Sequence, residues 1–138
     1  MMEHAGLHHR ILVADDHSSF RHMLRDYLEL NPNWEVCGEA SDGFEAVEMS
    51  EELNPDLVIM DLDMPRLNGF EATRRIHQTL PQIRILILTL HEFSALPQIA
   101  QDSGAQGVVS KAQPFQQLSQ AIATIDSRDA FFTSPRYE

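Results

Sequence analysis

Cysteine is almost absent from this chain of 138 residues. Cys37 stands alone, so no internal disulfide can form, which suits a reducing cytoplasm. Its expected place is on a strand, as a small buried apolar residue. Basic residues are scarce as well: 10 Lys and Arg against 21 Asp and Glu, a formal net charge of −11. Such a chain repels a phosphate backbone, and no basic cluster exists beyond Arg74-Arg75, so direct nucleic-acid binding is not expected. The acidity suits a divalent cation or a basic patch on a partner protein. Long apolar runs are missing too. The most extended, Ile85 to Leu88, continued past Thr89 by Leu90, is far short of the roughly 20 residues of a membrane span. The N-terminus MMEHAGLHHR lacks the apolar stretch of about 7–15 residues that marks a secretory signal, which leaves the cytoplasm as the expected location. Glycine is absent from the turn after the first apolar run, ADDHSSF, which excludes a dinucleotide-binding fingerprint.

What is present is alternation. Apolar runs of strand length at Ile11–Ala14, Trp34–Ala40, Leu57–Met60, Ile83–Leu88 and Val108–Ser110 are separated by helix-period segments. The first helix carries Phe20, Met23, Leu24, Tyr27 and Leu28 at i, i+3, i+4 spacing, with Ser18 or Ser19 as its cap and Asn31-Pro32-Asn33 as its stop. Further helices are predicted over 44–53, 70–79, 94–103 and 114–125. Continuous apolar strands are covered on both faces, so the sheet is expected to be parallel with right-handed crossovers. The fold class is α/β, a doubly wound five-stranded parallel sheet in a single domain over residues 10–126. Residues 1–9 read as an N-terminal tail and 127–138 as a C-terminal tail or the start of a linker.

In open α/β sheets, sites form beyond the carboxyl ends of the strands. Those ends carry Asp15 and Asp16 after the first strand, Asp61 after the third, Thr89 after the fourth and Lys111 after the fifth. With the first and third strands as neighbours, three carboxylates crowd one corner, which is costly unless a cation neutralises them or a pKa rises. Carboxylate oxygens suit Mg²⁺, and a hydroxyl with an ammonium opposite makes the corner attractive to a phosphoryl group. Taken singly, acid pairs are loop charges or helix caps. Four such groups at successive strand ends are much harder to dismiss.

The segments ILVADDH, PDLVIMDLDMPRLNG, ILILT and GAQGVVSK resemble, in this order, the receiver domain of two-component response regulators, with a look of the LuxR-type group. The resemblance covers Arg10 to Ile125. It implies a flavodoxin-like fold with strand order 2-1-3-4-5, and Asp61 as phosphoacceptor for the phosphohistidine of a sensor histidine kinase or phosphotransfer protein. It further implies Mg²⁺ held by Asp15, Asp16, Asp61 and the backbone carbonyl of Asp63, with Thr89 and Lys111 binding phosphoryl oxygens. The output surface implied is the face of the fourth helix, fifth strand and fifth helix, acting on a downstream protein, with a homodimer as an open option. The product is a modified protein, so the expectation is a signalling protein and not an enzyme.

Three departures from the family pattern stand out. Val108 occupies the position, three before the lysine, where an aromatic ring usually reports threonine movement. Lys111 is followed by Ala112 instead of a proline in a cis bond, which leaves that bond's geometry open. Asp63 and His91 are expected to flank the site entrance, where they would tune hydrolysis of the acyl phosphate. The other histidines carry less: His4, His8 and His9 fall in the tail, His17 shields or caps its loop, His22 and His77 lie on helix surfaces, and none has zinc spacing. The chain's end at 138 residues tilts the reading to a stand-alone receiver. The alternative is the receiver half of a LuxR-type transcription factor, since SRDAFFTSPRYE resembles the start of that group's linker. A remote alternative is a haloacid dehalogenase-like phosphatase, whose hhhhDxD motif VIMDLDM resembles, although that family places its paired acids last.

Overall fold

Why the strands sit inside is visible in their side chains: β1 (His9–Ala14), β3 (Leu57–Asp61), β4 (Arg84–Thr89) and β5 (Gly107–Ser110) carry Ile, Val, Leu or Met on both faces, while the edge strand β2 (Trp34–Ala40) buries only Val36 and Ala40. The computed structural model describes residues 9–113, 115–127 and 130–132. The strands form one parallel sheet in the order β2-β1-β3-β4-β5. The helices are α1 (Ser18–Leu28), α2 (Gly43–Leu53), α3 (Gly69–Thr79), α4 (Leu96–Ser103) and α5 (Phe115–Asp126). Each face of the sheet owns one core. Ile11, Val13, Ile59, Leu86 and Val109 pack with Leu24, Leu28, Leu118 and Ile122 of α1 and α5. Leu12, Val58, Met60, Ile85 and Val108 pack with Ala46, Ala72, Ile76 and Ala100 of α2, α3 and α4. The two-residue period of β1, β3, β4 and β5 therefore assigns their side chains to two separate cores. No helix among the described residues is long and apolar enough to cross a membrane.

Several expectations are corrected at this level. Neither serine caps α1: Ser18 is already its first helical residue, His17 is the cap residue, and no side-chain cap bond is made. Met23 is 55% exposed, because the face meeting the sheet runs through Leu24 and Leu28. Cys37 is on the strand but only half-buried. The register passes from Ile11↔Val36 to Leu12↔Gly38, so Cys37 is the extra residue of a bulge on an edge strand. Residues assigned to the tails are built into the sheet: His9 opens β1, and Phe131 makes a parallel bridge to Gly107 on β5. No cis peptide bond occurs among the described residues, so Lys111-Ala112 is trans. His4, His8, Pro114 and most of the expected linker segment lie outside the described residues.

Candidate functional site

Register decides which charges meet. β1 and β3 pair Val13 with Ile59 and Ala14 with Met60, and one step further Asp15 falls beside Asp61. Neighbouring strands lie about 4.8 Å apart, so the two carboxylates are forced together. Both are buried, at 2% and 4% exposure. Lys111, directly after β5, reaches into the same corner: its Nζ lies 2.7 Å from Asp15 Oδ2 and 3.3 Å from Asp61 Oδ1. Phe20 of α1 floors the ammonium, 4.6 Å from ring centroid to Nζ. The His17 backbone N–H donates to Asp15 Oδ1 at 2.8 Å, while the buried Asp61 Oδ2 has no hydrogen-bond partner.

Burial, together with the Asp15 charge, raises the Asp61 carboxyl to about 6 against the opposing pull of Lys111. Burial would lower the Lys111 ammonium, but its pairs with Asp15 and Asp61 win and raise it. Asp16 is exposed, and its Oδ1 lies 3.1 Å from His17 Nδ1. Donor atoms of Asp15, Asp16, His17 and Asp61 all fall within 4.8 Å of one another. Three carboxylates against one ammonium leave an excess of two negative charges when all are ionised, the charge of one divalent cation. That deficit, the unpartnered Asp61 oxygen and a donor set dominated by carboxylates fit Mg²⁺.

On the other side, the Thr89 carbonyl accepts the Lys111 N–H at 2.8 Å, and Thr89 Oγ1 accepts the His91 N–H at 3.0 Å. His91 then swings back to Asp63, with Nε2 and Asp63 Oδ2 only 2.6 Å apart. Behind Asp61 the loop closes so tightly that a Cβ on Gly69 would meet the Asp61 carbonyl oxygen at 2.3 Å. Asn68 caps the helix that starts there by accepting the Glu71 N–H at 2.9 Å. Arg66 takes the left-handed conformation, φ 68°, to make the loop's turn.

An acidic strand-end corner of this build, on a 2-1-3-4-5 sheet, has counterparts. A family model described as "Response regulator receiver domain" matches residues 11–123. The chain belongs to this family. As a receiver domain of two-component response regulators it has relatives of several architectures. The transcriptional regulatory protein DegU of Brevibacillus brevis is 34% identical over 122 residues, covering 88% of this chain and 52% of DegU. A solved two-component response regulator of the LuxR family from Aurantimonas sp. SI85-9A1 superposes with TM-score 0.89 at 38% identity, covering 93% of this chain and 91% of that one. A protein-glutamate methylesterase/protein-glutamine glutaminase from Pyrococcus abyssi is 44% identical over 86 residues, 62% of this chain and 23% of that protein. The receiver domain thus spans about half the length of the curated regulator it matches, and a smaller share of the esterase.

The structure brings Asp15, Asp61 and Lys111 into direct contact, adds Asp16 at the rim and joins Thr89 to Lys111 through the backbone. Sequence reasoning missed Phe20, which is half-buried beneath the Lys111 ammonium, and the donor atom of His17, read as capping or shielding its loop. It also passed over Gly69 except as a loop signal. The chain-local hint for Gly69 was the Asn68 cap before it; nothing local pointed to Phe20.

Proposed function

We propose that this receiver domain is a phosphoacceptor whose modification on Asp61 switches protein–protein contacts. The donor would be the phosphohistidine of a sensor histidine kinase or phosphotransfer protein, and the folded unit takes in His9 and the 130–132 segment beside residues 10–126. The observation that carries the reading is the buried Asp61 Oδ2 with no partner, in a carboxylate whose other oxygen faces Lys111. In the transfer, an Asp61 oxygen attacks phosphorus, the P–N bond to the donor imidazole breaks, and its electron pair leaves with the ring nitrogen. That nitrogen then takes up a proton, and Asp61 becomes an acyl phosphate. With its carboxyl at about 6, Asp61 is largely ionised and nucleophilic at neutral pH. Lys111 pairs with one phosphoryl oxygen. Thr89 Oγ1 accepts the His91 N–H, which leaves its own hydrogen to donate to another. Asp15, Asp16, Asp61 and the Asp63 backbone carbonyl would hold Mg²⁺, which supplies charge neutralisation to the transferred group. Positioning and charge are what phosphoryl transfer asks of a protein, and no further acid or base is required.

The product is a modified protein, so the domain acts as a signalling component of the cytoplasm and not as an enzyme. Its output goes to a downstream protein or a second copy of itself, and the chain contacts no nucleic acid directly. A second reading makes it the receiver half of a LuxR-type transcription factor, favoured by its covering 52% of DegU. The position of the stop codon in the encoding gene separates the two. The test of the site is incubation with acetyl phosphate and Mg²⁺, followed by intact-mass measurement. Wild type gains one alkali-labile phosphoryl group and Asp61→Asn gains none; labelling of the variant, or multiple turnover of a phosphate monoester, overturns the proposal.

A further inference from the structure

β5 is the last strand of the sheet, and an open edge normally invites a further strand. Here part of the chain itself covers it. After α5 the backbone returns parallel to β5: the Phe131 N–H donates to the Gln106 carbonyl at 2.9 Å, and the Val108 N–H donates to the Phe131 carbonyl at 2.8 Å. Two consecutive aromatic residues then straddle the sheet, Phe131 against the core shared with α1 and α5, Phe132 against the core that contains Val108. Gly107 makes the approach feasible, because a Cβ there would stand 2.5 Å from the Phe131 carbonyl oxygen. The seat is incomplete. Both Phe residues are half-buried, Ala130 is exposed, and a cavity of about 300 Å³ opens beside Phe132 towards His77 and Gln101. A segment held by two backbone bonds beside a void belongs to the parts of a fold that open first.

The strand it rests on is also the one attached to the acidic corner. β5 has four residues; Lys111 follows it directly, and on its inner side it pairs Ile87 with Val108 and Thr89 with Ser110. The groups proposed to bind the phosphoryl oxygens and the docked segment are therefore fastened to opposite edges of one short strand. Val108, which offers no ring of its own, is the residue that donates to Phe131.

We propose that the outer edge of β5 is a docking site for this chain's own segment 130–132, and that loading the acidic corner releases it. This rests on the phosphoacceptor reading above. Drawing Lys111 and Thr89 towards a phosphoryl group pulls β5 inwards, away from Phe131, and the aromatic pair takes over the reporting role that Val108 lacks. Coupling is reciprocal, so weakening the docked segment tightens binding of the phosphoryl mimic at Asp61.

Amide hydrogen exchange of the whole 138-residue chain by NMR, with and without beryllofluoride and Mg²⁺, tests this. Val108 and Phe131 amides should exchange about tenfold faster in the loaded wild type, within the ordinary range of such couplings, and show no change in Asp61→Asn. Gly107→Ala should expel the segment and bind beryllofluoride several-fold more tightly, and Phe131→Ala, which leaves β5 untouched, should do the same. If Thr89 and Lys111 resonances respond to the mimic while Val108 and Phe131 exchange stays unaltered, or if neither variant binds more tightly, the release proposal fails alone. If Thr89 and Lys111 do not respond, the phosphoacceptor reading fails with it.

Discussion

The two ends of the sheet carry similar kinds of charge and treat them differently. At the amino ends of the strands, Asp56 Oδ2 accepts the Arg10 backbone N–H at 2.8 Å, and the Arg10 guanidinium is bound by the Leu53 carbonyl at 2.6 Å. There the Arg84 guanidinium donates to the Ile125 carbonyl, and His9 Nε2 lies 3.2 Å from Asp126 Oδ2. A cavity of about 310 Å³ lies among these groups, yet each has a partner. At the carboxyl ends, Asp15 and Asp61 are more deeply buried, share one ammonium and leave an oxygen without a donor. Charge that is satisfied locally holds elements together. Charge that is buried and left in excess is an unfinished coordination sphere, and such strain is tolerated where a ligand completes it.

The comparison can be broken first at Lys111. Lys111→Met removes the one cation between two buried carboxylates and should lower stability by about 4 kcal/mol at neutral pH, read by urea denaturation. Mg²⁺ should restore part of the loss; a change below about 1 kcal/mol would make the two ends equivalent.

A somewhat smaller effect comes from pH. The Asp61 carboxyl is raised in the folded state to about 6 from 3.8, so the folded protein binds a proton that the unfolded chain releases. Its ionisation penalty is fully present above about pH 6 and is relieved as pH falls through 6 towards 3.8. At 1.36 kcal/mol per unit this amounts to about 3 kcal/mol. The stability difference between Asp61→Asn and wild type should therefore be largest at pH 7 and close on acidification. A difference that widens with acid would reverse the sign argued here.

Next in size is the exposed His91–Asp63 pair at the rim. Replacing both by Ala should change the half-life of the acyl phosphate by no more than about fivefold, the reach of a solvent-screened pair. An unaltered half-life would remove these two residues from any tuning role. The smallest effect is expected at the opposite end. Burial raises the Asp126 carboxyl while His9 and Arg84 oppose the shift. Asp126→Asn should move stability by less than about 1 kcal/mol and leave beryllofluoride binding unchanged. A loss of mimic binding in this variant would show that the ends are coupled.

Much of this was legible in the chain because it is encoded by near neighbours. Leu57–Met60 announces itself as a strand by unbroken apolar character and only gains Asp61 at its end, whereas Trp34–Ala40, interrupted by Glu35 and Glu39, is marked by the turns Asn31-Pro32-Asn33 and Ser41-Asp42-Gly43 on either side. Asp15, Asp61, Thr89 and Lys111 could be named because each ends or follows an apolar run. Cys37 could not be assigned correctly, since a bulge is a mismatch between two strands and neither contains it alone. Phe20 looked like one more apolar position of α1, and only packing puts its ring under the Lys111 ammonium. Phe131 looked like tail; its partner is Gly107, a residue whose lack of a side chain matters only once the two backbones meet.

By itself, then, the sequence determined the order and kind of the elements, the doubly covered parallel sheet and the list of groups at its carboxyl edge. Local periodicity and turn chemistry act over a few residues and need no knowledge of the rest. The tertiary structure decided what touches what: Asp15 beside Asp61 in register, one ammonium shared between them, an oxygen left bare, and the returning chain laid along β5. Those contacts join residues far apart in the chain, and only the closing of the whole sheet and the packing of its two cores fixes them.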